Sequence, residues 1–252
     1  MLIEFASRLS IAPKQGKVKL ANCPCILRHI TMPMRKSSLF LCLLITSAIF
    51  AGTESDPSIV IDRAPVTSTT RIYDPRIGDA RMPATLPDEA GVTVSNFKCV
   101  AVLQGSVVHH MQQGNDVIAE VRVESADIKL ALDVTEWISQ EGGPKIRAHE
   151  DGHRLIAEHF FDRADDSART IARLLIGTSV FGTGLDSDEA AKNALNIASA
   201  HLVRDYMIEV RDRSDRVQHA YDDITHHGTN KVDEMVAIER SLATLDATAP
   251  SR

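Results

Sequence analysis

The chain has 252 residues, with 28 Lys/Arg against 34 Asp/Glu and four cysteines, which is enough for one or two domains with a sizeable core. The first 51 residues hold seven of the basic side chains and one of the acidic ones, so the remainder carries a net charge of −12. A surface that acidic repels phosphate backbones and anionic membranes, which argues against nucleic acid as a partner.

From Met34 the sequence reads "MRKSSLFLCLLITSAIFAGTES". Two basic residues, an apolar run from Leu39 to Ala51 and then small residues are the layout of a secretory signal peptide over residues 34–51. Cleavage is expected after Ala51 or Gly52, and the run is short for a membrane span. Residues 1–33 do not read as a targeting signal, so translation is expected to begin at Met34. The mature protein would be periplasmic or secreted, without stable membrane insertion. Cys23, Cys25 and Cys42 fall before the cleavage point, which leaves Cys99 alone and allows no intrachain disulfide.

Residues 52–91 are rich in Pro, Asp, Thr and Arg and read as an extended leader with one strand at Ser58 to Asp62. The domain proper is expected over residues 92–245, with a flexible tail at 246–252. "NFKCVAVLQGSVVHHMQQ" and "DVIAEVRVESADIKLALDV" are rich in β-branched residues and separated by the turn Gly114-Asn115-Asp116, which predicts an antiparallel pair. Val117, Ala119, Val121 and Val123 alternate with polar or mixed residues, as on a half-buried strand. His109 and His110 are strand neighbours, point to opposite faces and make poor joint ligands.

The period then changes. Pro144 suits a first helical position, and Ala157, Phe160, Ala164, Ala168, Ile171 and Leu175 follow at spacings of three and four. This predicts one helix ending at Gly177, then a Gly-rich connection. Asp186 with Glu189 predicts a capping box for a second helix carrying Ala191, Leu195, Ala198, Leu202, Tyr206 and Val210 towards His219. A third helix is expected from Asp233 to Leu245. The fold class is α+β, with an antiparallel β-region packed on a long antiparallel helix pair.

The first helix contains His149-Glu150-Asp151-Gly152-His153. Residues i and i+4 share a helix face, so two imidazoles at that spacing can grip one Zn²⁺. The glutamate after the first histidine then stands beside the water on the metal as a general base. A catalytic zinc also needs a third protein ligand and an open position. His159 stands about 240° round the helix from His153 and Glu158 about 140°, so neither shares the face. The return helix is long enough to bring "YDDITHHGTNK" back beside His149. Either His226 or His227 can then complete the site, with Tyr221 and Asp222 close by.

The pairing of "RAHEDGH" with "YDDITHHG", after a β-region ending in "LALDVTEW", resembles the bacterial predicted secreted zinc-dependent proteases, a domain family of unknown function with H-E-x-G-H and Y-D-x-x-T-x-H-G motifs. His149, Glu150, Gly152 and His153 match the first motif; Tyr221, Asp222, Thr225, His227 and Gly228 match the second. The resemblance spans roughly residues 91–231 and implies a zincin-like HExxH helix with His227, in preference to His226, as third ligand. Asp133 stands where the family pattern has proline.

The expectation is an exported zinc metallopeptidase acting on peptide or protein substrates. His149, His153 and His227 hold the metal, Glu150 is the general base, and Tyr221 or His226 steadies the oxyanion. Two rivals stay open: a non-catalytic binding or assembly module whose structural zinc is closed by Asp222 or His226, and a zinc amidase acting on cell-wall crosslinks.

Overall fold

The computed structural model describes residues 58–248 except 78, 80 and 84–89, with side chains described as far as 245. The expected signal peptide and start site lie outside these residues, as does most of the tail. Among the described residues no helix is long and apolar enough to cross a membrane.

The fold is α+β, organised around one long strand. Strand β3 (Gly91–Gln113) turns through Gly114 and Asn115 into β4 (Asp116–Ser139), and the two pair antiparallel along their whole length. Gly114 has φ +66°, a conformation the two-residue turn demands and glycine meets without strain. The opposite edge of β4 is shared by three short strands. Strand β1 (Ile59–Arg63) and β2 (Thr67–Tyr73) pair parallel to it, and β5 (Ser179–Gly184) pairs antiparallel to its first half.

The helix-facing side of β4 is Val117, Ala119, Val121 and Val123, then Ala126, Ile128, Leu130, Leu132 and Val134, all buried. The parity changes between these two runs because Glu124 is an extra residue: Gln104 pairs with Ser125 and Gly105 with Val123. This bulge keeps apolar side chains on one face across a sequence whose alternation slips by one. Against that face lie Ala157, Phe161, Ala164 and Ala168 with Ala198, Leu202 and Tyr206.

Each of the two expected long helices is two. The first divides into α1 (Pro144–Phe161) and α2 (Ala164–Arg173), and the second into α3 (Ser187–Glu209) and α4 (Arg211–Thr225). The breaks fall at Asp162–Arg163 and at Val210, whose backbone leaves ideal helical angles at φ −107° and ψ −62°. Apolar spacing continues through both breaks, which is why it reads as unbroken helix. The break at Val210 lets α4 leave the direction of α3 and pack on α1. Helix α5 (Glu234–Thr248) then packs on both α1 and α4.

Strand β1 stands where one strand was expected at Ser58 to Asp62, and two segments expected to be irregular are also strands: the rest of the stretch read as leader supplies β2, and the Gly-rich connection supplies β5. Gly182 explains the second case: a Cβ there would stand 2.3 Å from the Ala190 carbonyl oxygen and 2.4 Å from the Ala194 nitrogen. Its glycine permits close approach of strand to helix, not a loop. The predicted cap of α3 is present, with the Asp186 carboxylate accepting from the amides of Asp188 and Glu189.

Candidate metal centre

Helix α1 begins at Pro144 and runs with its His149, Glu150 and His153 side chains buried against the rest of the molecule. Their desolvation is tolerable only because each finds polar company. The Nε2 atoms of His149 and His153 are 3.3 Å apart. Asp222 Oδ1, from the last turns of α4, stands 3.3 Å from the first and 2.9 Å from the second. These three groups converge within 4.8 Å of one another and can hold a metal ion. Nitrogen and oxygen donors about 2.0–2.1 Å from a tetrahedral Zn²⁺ stand about 3.3 Å apart, so the spacing fits such an ion.

The hydrogen bonds behind the donors support the fit. His153 Nδ1 lies 3.0 Å from Gln218 Oε1, and the Gln218 amide nitrogen donates to Ser214 Oγ. That chain presents a carbonyl oxygen to Nδ1, so a neutral His153 carries its proton there and leaves a lone pair on Nε2 aimed at the cluster. His149 is held differently. Its ring stacks on Tyr221, with centroids 5.0 Å apart and planes 9° from parallel, and its Nδ1 is buried without a hydrogen-bond partner.

Electrostatics show what the cluster does without a cation. Burial alone would raise the Asp222 carboxyl, but hydrogen bonds from His149 and His153 hold it well below the usual carboxylate range. Burial alone would lower His153; Asp222, Glu150 and Gln218 outweigh it and raise its pKa. Asp222 thus favours positive charge at the His153 ring.

Glu150 lies beside the donors and outside the group. Thr93 Oγ1, on β3, donates to Glu150 Oε2 at 2.8 Å. Gly91 leaves the space the carboxylate fills: a Cβ there would stand 2.6 Å from Oε1. Burial raises the Glu150 pKa, against the opposing influence of His153, Thr93 and His149. These groups line a cleft of about 260 Å³ between the start of β3 and helix α4.

Of the other expected site residues, His227 lines this cleft, with Nδ1 3.7 Å from Asp222 Oδ1 and its side chain 48% exposed. His226 caps α4 in a left-handed conformation and is not among the cleft residues. The Tyr221 hydroxyl is buried away from the cleft, donating to Glu234 Oε2 at 2.6 Å and lying 3.3 Å from the His149 carbonyl. Gly152 leaves room for that hydroxyl, since a Cβ there would be 2.2 Å from it. His159 is exposed and Glu158 pairs with Arg154, both apart from the donors. Cys99 is a free thiol that burial pushes up to about 11, and it is not among the residues that line the cleft.

Sequence reasoning had placed Asp222 here only as a closing ligand, and had not found Gln218, Thr93, Gly91 or Glu234. Gln218 and Asp222 are four apart on one helix, a signal available once α4 is known to face α1. Thr93 and Gly91 leave no such trace. The fold and site together define an α+β protein with a two-histidine, one-carboxylate group that could hold a metal ion. No family model, curated protein or solved structure matches this chain.

Proposed function

We propose that the protein is an exported zinc-dependent peptidase of the HExxH type. The observation that carries this reading is the convergence of His149 Nε2, His153 Nε2 and Asp222 Oδ1 with the Glu150 carboxylate beside them in an open cleft. These three donors hold the metal. When bound, zinc supplies the positive charge that acidifies water and polarises a carbonyl.

Glu150 Oε2 is engaged by Thr93, so Oε1 is the oxygen that takes a proton from water and passes it to the leaving amine. Burial, by raising the Glu150 pKa, makes its carboxylate a stronger base than an ordinary glutamate for taking that proton from water. His227, which lines the cleft with Nδ1 3.7 Å from Asp222 Oδ1, is the group we assign to steadying a developing oxyanion. Tyr221 orients His149 by stacking and takes a positioning role in place of the oxyanion role expected from sequence. The resemblance to the predicted secreted zinc proteases and the expected signal peptide agree with this reading.

Glu150→Gln retains zinc and lowers hydrolysis by about 10²–10⁴-fold; a fully active variant overturns the mechanism. Metal content separates the donor assignments: Asp222→Ala loses zinc, whereas His227→Ala retains most of it. A second reading, a structural site closed by His227 as fourth ligand, is favoured by its 3.7 Å approach to Asp222. It requires His227→Ala to lose zinc and the wild type to hydrolyse nothing.

A further inference from the structure

We propose that Glu234, in the first turn of α5, is a positioning residue of the metal centre. By holding the Tyr221 phenol it sets the planes of both imidazole donors, and with them the affinity for a divalent cation. This role deepens the reading of the same site, resting on His149 and His153 as donors and not on peptide hydrolysis.

The lone pair of an imidazole nitrogen lies in the plane of the ring, so a donor is aimed only when that plane is fixed. For His153 the contact of Nδ1 with Gln218 does this. His149 has no such bond, its Nδ1 being buried without a partner. Backbone at Gly228 crowds the foot of the ring, where a Cβ would stand 2.8 Å from His149 Cβ and 2.9 Å from Cγ. The plane itself is set by the Tyr221 ring, which lies 9° from parallel to it. The same phenol meets His153 edge-on, at 86° with centroids 5.0 Å apart. One buried tyrosine therefore bears on two donors whose own planes stand 84° apart.

What holds Tyr221 is decided at its hydroxyl, which sits in the slot left by Gly152. Two acceptors are near: the His149 carbonyl oxygen at 3.3 Å and Glu234 Oε2 at 2.6 Å. A helical carbonyl already accepts from the amide four residues on. The one phenol proton therefore goes to the nearer, charged oxygen, in a bond roughly twice as strong as a neutral one. The sequence around Glu234 builds the reach. Asp233 accepts from the amides of Met235 and Val236 and so fixes the first turn of α5. Ala237 and Ile238 then anchor that turn in a buried cluster with Ile156, Val217 and Tyr221. A first-turn carboxylate that only complements the helix dipole needs no partner; this one grips a buried phenol.

The test measures zinc affinity of the full chain by competition with a chromophoric chelator, together with the visible absorption of the cobalt(II)-loaded protein. Glu234→Ala should weaken zinc binding by about 10–100-fold and change the cobalt spectrum. Glu234→Gln, which keeps an oxygen for the phenol, should stay within roughly threefold of wild type. Tyr221→Phe should weaken binding as Glu234→Ala does. Adding Glu234→Ala to Tyr221→Phe should cost nothing further, because the carboxylate acts through the hydroxyl. Ile238→Val, in the same helix and the same buried cluster, should lower the urea midpoint and leave zinc affinity and cobalt spectrum unchanged.

Wild-type zinc affinity in Glu234→Ala, additive losses in the double variant, an equal loss in Ile238→Val, or a wild type that binds no zinc overturns the positioning role. Should Glu234→Ala not fold, Tyr221→Phe decides, and unchanged zinc affinity there overturns it. Hydrolysis by the wild type is scored separately. The expected affinities without hydrolysis overturn the peptidase reading and leave the role of Glu234 standing. Hydrolysis without those affinities does the reverse.

Discussion

At the scale of single residues, the site depends on side chains that are absent as much as on those present. Gly91→Ala puts a carbon 2.6 Å from Glu150 Oε1, and Gly152→Ala puts one 2.2 Å from the Tyr221 hydroxyl. Neither neighbour is free to yield, because Thr93 holds the carboxylate and Glu234 holds the phenol. Overpacking of this kind costs about 1–3 kcal/mol, so both variants should lower the urea midpoint. Gly91→Ala should also lose hydrolysis out of proportion to stability, and unchanged turnover in a folded Gly91→Ala protein would contradict the placement of Glu150. The same scale sets the response to acid. Protons compete with a cation for His153 Nε2, and its metal-free pKa lies above the ordinary 6.5. Asp222, held far below the carboxylate range, stays ionised throughout. Zinc affinity should therefore begin to fall above pH 6.5 as the solution is acidified, at up to about tenfold per pH unit for each proton displaced. Zinc titrations from about pH 8 to about pH 5.5 measure this; affinity that stays level until well below 6.5 would contradict it.

At the scale of elements, β4 is the spine, and its bulge is its most consequential feature. Deleting Glu124 would keep every apolar residue and turn Val117, Ala119, Val121 and Val123, or else Ala126 to Val134, towards solvent. The expected result is a chain that fails to fold cooperatively, read by loss of the denaturation transition, whereas Glu124→Ala should cost little. Alternation within each half of β4 was legible in the sequence, since period-2 burial follows from the pleat alone. The bulge between them was not, because only the partner strand defines which residue is extra. The same reason hid β2 and β5. Their segments have weak patterns and become strands by pairing with an edge of β4 that the sequence does not display.

At the scale of the whole molecule, a metal held by His149, His153 and Asp222 would join α1 to α4, elements about seventy residues apart in the chain. A ligand that binds only the folded state stabilises it by mass action, by about 2.7 kcal/mol at one hundred times its Kd. Chelation should therefore lower Tm by roughly 5–10 °C for a protein of this size, and zinc should restore it. An unchanged Tm would mean that the donors do not bind the ion in the folded state. The sequence by itself determined the α+β class, the long hairpin, the cap at Asp186 and the pairing of His149 with His153 around Glu150. These follow from local periods of two and 3.6 residues and from backbone chemistry a few residues long. Tertiary structure alone decided that Asp222 and Gln218 complete and orient the donors, that the Tyr221 hydroxyl turns away from the cleft, and that Gly91 and Thr93 seat the carboxylate. Each of those depends on how helices broken at Arg163 and Val210 are redirected over a bulged sheet, and such angles are set by packing between distant segments that no local pattern records.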